Sequence, residues 1–143
     1  MLYTTFIIYL MCYACITEQY ICLIVVQIEG KWSSCVAVGV TTCDPISFVF
    51  PQLNIASQKD AWSMRGCSIF INGKTTIKAY GQNLEQLSVG DRVGVKRTSA
   101  GALHFYVNGV DQGCADSMLP SRVWAVVDIY SRCVQISVVN HTN

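Results

Sequence analysis

The sequence predicts an all-β fold, an antiparallel sandwich, and three observations carry that prediction. Short apolar runs with a period of two recur from Ser33 onward. Residues that tolerate a positive φ fall between those runs, and no stretch from 33 to 139 spaces its apolar residues as a helix would. The chain has 143 residues, which suits one domain with a real core, so any activity must sit on a single compact unit.

Residues 1 to 26 are nearly all apolar or weakly polar, with Glu18 their single charge. A secretory signal needs a basic stretch before its apolar run, and a spanning helix needs about 20 apolar residues and usually a basic flank. The first basic residue here is Lys31. A membrane or signal segment and a segment foreign to the domain stand as the two readings, and any membrane contact would run through residues 1 to 26 alone.

The first clear strand is at 35 to 40, where Val36, Val38 and Val40 alternate with Cys35, Ala37 and Gly39. It stops at Thr41-Thr42-Cys43-Asp44-Pro45, because proline removes a ladder donor. Residues 46 to 66 then read as a long connection containing Phe48, Phe50-Pro51 and Asp60-Ala61-Trp62. A strand at Cys67 to Ile71 ends at Asn72-Gly73, and another at Thr75 to Tyr80 ends at Gly81. Leu84, Leu87 and Val89 lead to Gly90-Asp91, with Asp91-Arg92 expected as an intramolecular charge pair.

Strands at 91 to 97, 102 to 107 and 110 to 114 form a meander, its second reversal made by Asn108-Gly109, which suits a type I′ turn. Val123 to Tyr130 is apolar on both faces and reads as a buried central strand that places Trp124 in the core, as Trp32 is placed too. Cys133 to Val139 alternates and closes the sheet.

Composition excludes several functions. Ten basic residues against nine acidic ones give a formal charge of +1, without the basic footprint that nucleic acid demands. The eight cysteines have irregular spacings and read as reduced, mostly buried thiols. Cys12-x-x-Cys15 lacks a second ligand pair, and neither His104 nor His141 lies at a matching spacing, so no metal or other cofactor is expected. Ser99, His104 and Asp111 could be imagined as a nucleophile, base and acid, but there is no nucleophile elbow, and Asp111 better serves the hairpin turn. No catalytic residue is expected.

Recognition is the remaining class. Trp62, with Asp60 and Arg65, falls on the long connection, and tryptophan and arginine are enriched at interface hot spots. The alternative is that Trp62 packs under its own loop. Lys96-Arg97 could contact an acidic partner peptide or could be a solvated strand end.

Several runs together closely resemble the neuralized homology repeat: VGVTTCDP (38 to 45), Asp60 and Trp62 followed by Gly66, NGK (72 to 74), YGQNL (80 to 84), VGDRVGVKRTSAGALHFYVNGVDQG (89 to 113) and PSRVWAVVDIY (120 to 130). The likeness runs from about residue 25 to residue 139 and is nearest to the repeats of neuralized-like protein 4. It implies a β-sandwich of the SPRY type, acting as a protein-interaction module in intracellular ubiquitin-ligase adaptors. The implied partner is a protein, a ubiquitin ligase or its substrate, and the implied location is the cytoplasm, with the centrosome as a further association. No RING spacing or HECT-sized region occurs in this chain, so the chain itself is not expected to be an enzyme.

The sequence departs from the repeat at its start. Residues 24 to 30 could supply the strand before Lys31-Trp32, but residues 1 to 23 match nothing in the repeat, whose first strands are therefore expected to be lacking. The expected division is an apolar segment at 1-23 and a partial repeat at 24-140, presenting loops 43 to 66 and 114 to 122 to a partner. The residues expected to bind it are Asp60, Trp62, Arg65, Lys96 and Arg97. A membrane-anchored or secreted sandwich that recognises an extracellular ligand is the alternative, resting on the apolar start.

Overall fold

The computed structural model describes residues 6–8, 19–28, 36–43, 55–129 and 133–139, with side chains described for 36–43 and 55–128. Eleven strands run β1 (Phe6–Ile8), β2 (Gln19–Ile28), β3 (Val36–Thr41), β4 (Ala61–Arg65), β5 (Ser68–Ile71), β6 (Lys74–Ile77), β7 (Arg92–Arg97), β8 (Leu103–Val107), β9 (Val110–Asp116), β10 (Trp124–Ile129) and β11 (Cys133–Val139). They form two antiparallel sheets, one ordered β1-β10-β3-β4-β5-β6 and the other β11-β2-β7-β8-β9. The all-β antiparallel fold is the one the alternation predicts.

The core lies between the sheets. Val38, Val40, Trp62, Met64, Ile69, Ala125 and Val127 face Val93, Val95, Leu103, Phe105, Val107 and Ala115 in one buried cluster. The period of two in β8 is the clearest case: Leu103, Phe105 and Val107 are buried while His104 and Tyr106 are partly exposed. Asn108 (φ 49°) and Gly109 (φ 80°) take the left-handed conformation that the tight reversal into β9 requires.

β10 lies between β1 and β3, as its two apolar faces imply. Its outer face is covered because the 3-10 turn Ile55–Ser57 packs there, with Ile55 joining Ala37, Ala61 and Val126 in a second cluster. Gly39 sits in the middle of this sheet, where a Cβ would come within 2.0 Å of the Trp62 carbonyl oxygen, so no side chain fits.

β2 runs unbroken from Gln19 to Ile28 between β7 and β11, pairing Gln19 to Ile24 with Arg97 to Arg92. The division expected between residues 23 and 24 thus falls inside a strand, and β1 adds residues 6 to 8 to the other sheet.

Two expectations are corrected. The connection after β3 does not reach residue 66: residues 61 to 65 form β4, paired with β3 and β5. Trp62 and Met64 fill the core, while the small Ala61 and Ser63 on the other face are buried as well, so this segment is a central strand and not an exposed connection. Asp91 and Arg92 make no ion pair; the Asp91 carboxylate instead accepts from the Ser88 amide at 2.7 Å and from Asn108 Nδ2 at 3.2 Å. Of the eight cysteines three have described side chains: Cys43 and Cys67 are half-buried, and Cys114, on edge strand β9, is exposed. Lys31, Trp32, Phe48, Phe50-Pro51, Tyr130, His141 and the Cys12-x-x-Cys15 pair lie outside the described residues.

Candidate functional site

Strand polarity gathers the candidate loops at one end of the sandwich. Thr41, the last residue of β3, pairs with both Ala61 at the start of β4 and Trp124 at the start of β10. In the other sheet Leu103, the first residue of β8, pairs with Arg97 at the end of β7 and Asp116 at the end of β9. The turn at 98 to 102, the Asn72-Gly73 turn, the connection at 117 to 123 and residues 42–43 and 58–60 on either side of β3 and β4 therefore share this end. Loops held by a rigid scaffold are where recognition is usually found.

The connection from β9 to β10 crosses between the sheets and is fastened along its length. At its start, Trp62 Nε1 donates to Asp116 Oδ2 at 2.7 Å, tying β4 of one sheet to β9 of the other. Midway, the buried Leu119 donates its amide to Gly101 O at 2.9 Å, while Arg97 Nε donates to Pro120 O at 2.8 Å. A Cβ at Gly101 (φ 90°) would lie 3.3 Å from Leu119 O, so glycine suits both the turn and this close approach. At its end, the exposed Arg122 guanidinium lies 5.1 Å from the centre of the Trp124 ring, within cation–π range. Between these ties Met118 points outward, 81 % exposed.

The connection from β3 to β4 is tied to the same end. Asp60 has a left-handed backbone (φ 57°), and its carbonyl accepts from Thr41 Oγ1 and Thr42 N, each at 3.0 Å. Its amide donates to Asn72 Oδ1 at 2.7 Å, which joins the hairpin turn to the corner. Behind it, Ile55 N donates to Asp128 Oδ2 at 3.3 Å. Asp128 is 1 % exposed, and its Oδ1 and the Ser63 hydroxyl have no hydrogen-bond partner among the described residues. Burial pushes the Asp128 carboxyl above its ordinary pKa, against the opposing pull of the Ile55 amide and the Arg65 charge.

The five residues expected at a partner site therefore separate. Asp60 is exposed at this end, with its backbone engaged in the corner. Trp62 is a core residue, 8 % exposed, and belongs to β4, which corrects its placement on a loop. Arg65 closes the same strand at the opposite end of the sandwich, paired with Ala37 and Ser68. Arg97 is half-buried, with its guanidinium directed at the carbonyls of Thr98, Leu119 and Pro120. Lys96 precedes it on β7, is half-buried and pairs with His104, one residue in from the end of the strand.

Sequence reasoning missed Met118 and Arg122. Both lie in the connection expected at 114 to 122, but only the folded connection distinguishes the buried Leu119 from the exposed Met118.

The imagined triad has a structural use in the hairpin. His104 Nδ1 lies 3.0 Å from Asp111 Oδ1, and the same oxygen accepts from Gly113 N at 2.8 Å. Burial tends to raise the Asp111 pKa, but the hydrogen bonds from His104, Gly113 and Tyr106 outweigh it and hold the carboxyl below the ordinary value. Ser99 lies in the turn after β7 and makes no hydrogen bond to His104. Among the described residues no three His, Cys, Asp or Glu side chains come together as a metal site, and no helix is long and apolar enough to cross a membrane.

Comparisons with known proteins follow this geometry. The sequence profile of the family described as Neuralized matches residues 15–140. The Drosophila melanogaster neuralized NHR1 domain superposes with a TM-score of 0.64 at 17% identity, covering 90% of this chain and 76% of that one. A human SPRY domain gives a TM-score of 0.65 at 16% identity, covering 94% and 82% of the two chains. The SPRY domain of human HERC1 gives 0.62 at 15% identity, covering 95% and 79%. At these identities the three structures speak to the fold.

Proposed function

The chain belongs to the Neuralized family, whose SPRY-like domains are generally protein-interaction modules, and on that premise we propose that it binds a protein partner through the loop end of the sandwich. One observation carries the reading: the connection from β9 to β10 is fastened by Trp62, Gly101 and Arg97 yet presents Met118 almost fully to solvent. A side chain held outward on a rigid support spends little ordering entropy on binding, and methionine and arginine are enriched at interfaces.

The finer assignment rests on the sequence likeness to neuralized-like protein 4. In this reading the domain is an adaptor or scaffold module in the ubiquitin-ligase pathway, without ligase chemistry of its own, working in the cytoplasm with a ligase or its substrate.

The test compares the two ends of the molecule. Met118→Asp should abolish recovery of bound protein from cells, whereas Val89→Asp, at another exposed apolar position, in the connection before β7, should leave it intact. Loss with Val89→Asp and retention with Met118→Asp would overturn the assignment to this end. Ubiquitin transfer by the purified chain with activating and conjugating enzymes alone would overturn the adaptor role.

A further inference from the structure

We infer that the loop end of the sandwich takes a partner segment in which an acidic residue stands next to an apolar one. This rests on the binding reading above and adds the chemistry of the partner.

The charges at this end divide into those already engaged and those left for a partner. Arg97 directs its guanidinium at three backbone carbonyls, and the Asp116 carboxylate accepts from Trp62. Among the described residues at this end, the exposed charges are Lys59, Lys74 and Arg122 against the single carboxylate of Asp60. The positions are linked through the fold. Lys59 adjoins the Asp60 corner; Lys74 follows the Asn72-Gly73 turn bound to that corner; and Trp124, beneath Arg122, pairs with Thr41, whose hydroxyl bonds to the corner carbonyl.

This local excess of positive charge contrasts with the near neutrality of the whole chain, formally +1. It favours an acidic partner by complementarity and disfavours a basic one. Arg122 is suited to the main role, because its stacking on Trp124 orients the planar guanidinium before a carboxylate arrives and leaves its N–H groups available for a forked hydrogen bond. Met118, in the same connection, supplies the apolar contact, which explains why the acidic residue needs an apolar neighbour.

The experiment selects a random displayed peptide library against the purified full chain and measures the enriched peptides by calorimetry. The expected result is peptides bearing Asp or Glu beside an apolar residue, with affinity that falls as salt rises. Arg122→Gln and Met118→Asp should each weaken them by about tenfold or more, and Lys59→Glu by a few-fold. All three side chains are exposed, and each variant's melting curve checks that the fold is retained. Enriched peptides that are neutral or basic but still lost on Met118→Asp would overturn the acidic preference while leaving the binding end in place. Peptides indifferent to both Arg122→Gln and Met118→Asp, or no enrichment at all, would overturn the binding end as well.

Discussion

Replacing Trp62 separates a core residue from an interface hot spot. Its indole is 8 % exposed, packs among Val40, Met64 and Ile69, and donates through Nε1 to the Asp116 carboxylate at 2.7 Å. Truncating a buried aromatic costs about 3–5 kcal/mol through lost transfer energy and the cavity left behind, so Trp62→Ala should destabilise by that amount. Trp62→Phe keeps most of the apolar burial and removes the bond to a charged acceptor, for about 1.5–3 kcal/mol. The lower end is expected, because Asp116 is only half-buried and water can replace the lost donor. Urea unfolding followed by near-ultraviolet circular dichroism gives both values by linear extrapolation. Adding Asp116→Ala, which removes the acceptor, closes a double-mutant cycle, in which the two substitutions should cost less together than the sum of their separate effects. The reasoning is refuted if Trp62→Ala costs under about 1 kcal/mol, a value typical of surface positions.

Three further substitutions have definite expectations. The Tyr80 hydroxyl bonds Gly113 O and accepts from Phe105 N, and burial pushes its pKa up to about 12. An unfolded tyrosine loses its proton near 10, so stability should fall as pH rises from about 10 to about 12, and pH-dependent unfolding of Tyr80→Phe should lack that contribution. For Asp128 the raised carboxyl pKa means that the folded state keeps a proton that the unfolded chain releases. Stability is thus lost as pH climbs from about 4 toward the raised folded value, and Asp128→Asn should flatten the pH profile of the melting temperature in that window. Gly39→Ala forces a Cβ against the backbone of Trp62 and Ser63 in a central strand, and thermal melting should show a loss at or above the upper end of the roughly 1–3 kcal/mol typical of overpacking.

The meander from β7 to β9 was legible because Val93, Val95, Leu103, Phe105 and Val107 alternate with polar neighbours that face solvent, and because Asn108-Gly109 specifies its turn. β4 was not legible for the opposite reason. The Ile55–Ser57 turn packs over its outer face, so Ala61 and Ser63 are buried beside Trp62 and Met64, and a five-residue run with a single apolar pair is too short to reveal a central strand. The candidate residues divide along the same line. Asp60 and Trp62 were chosen for their place on the expected long connection and Arg97 for its charge; folding leaves the Asp60 side chain exposed at the corner but engages Trp62 and Arg97 internally.

The sequence by itself determined the class of fold, most strand positions and the family, since each of these is written in local alternation, turn chemistry or a contiguous run of residues. Tertiary structure alone decided which side chains remain for a partner. Leu119 and Met118 are adjacent and similar in hydropathy, yet one is buried beside Gly101 and the other is 81 % exposed. Arg97 and Arg122 carry the same charge, yet one is turned onto backbone carbonyls and the other lies exposed over Trp124. Those differences arise where the connection from β9 to β10 crosses between two sheets, a juxtaposition of segments far apart in the chain that no local pattern encodes.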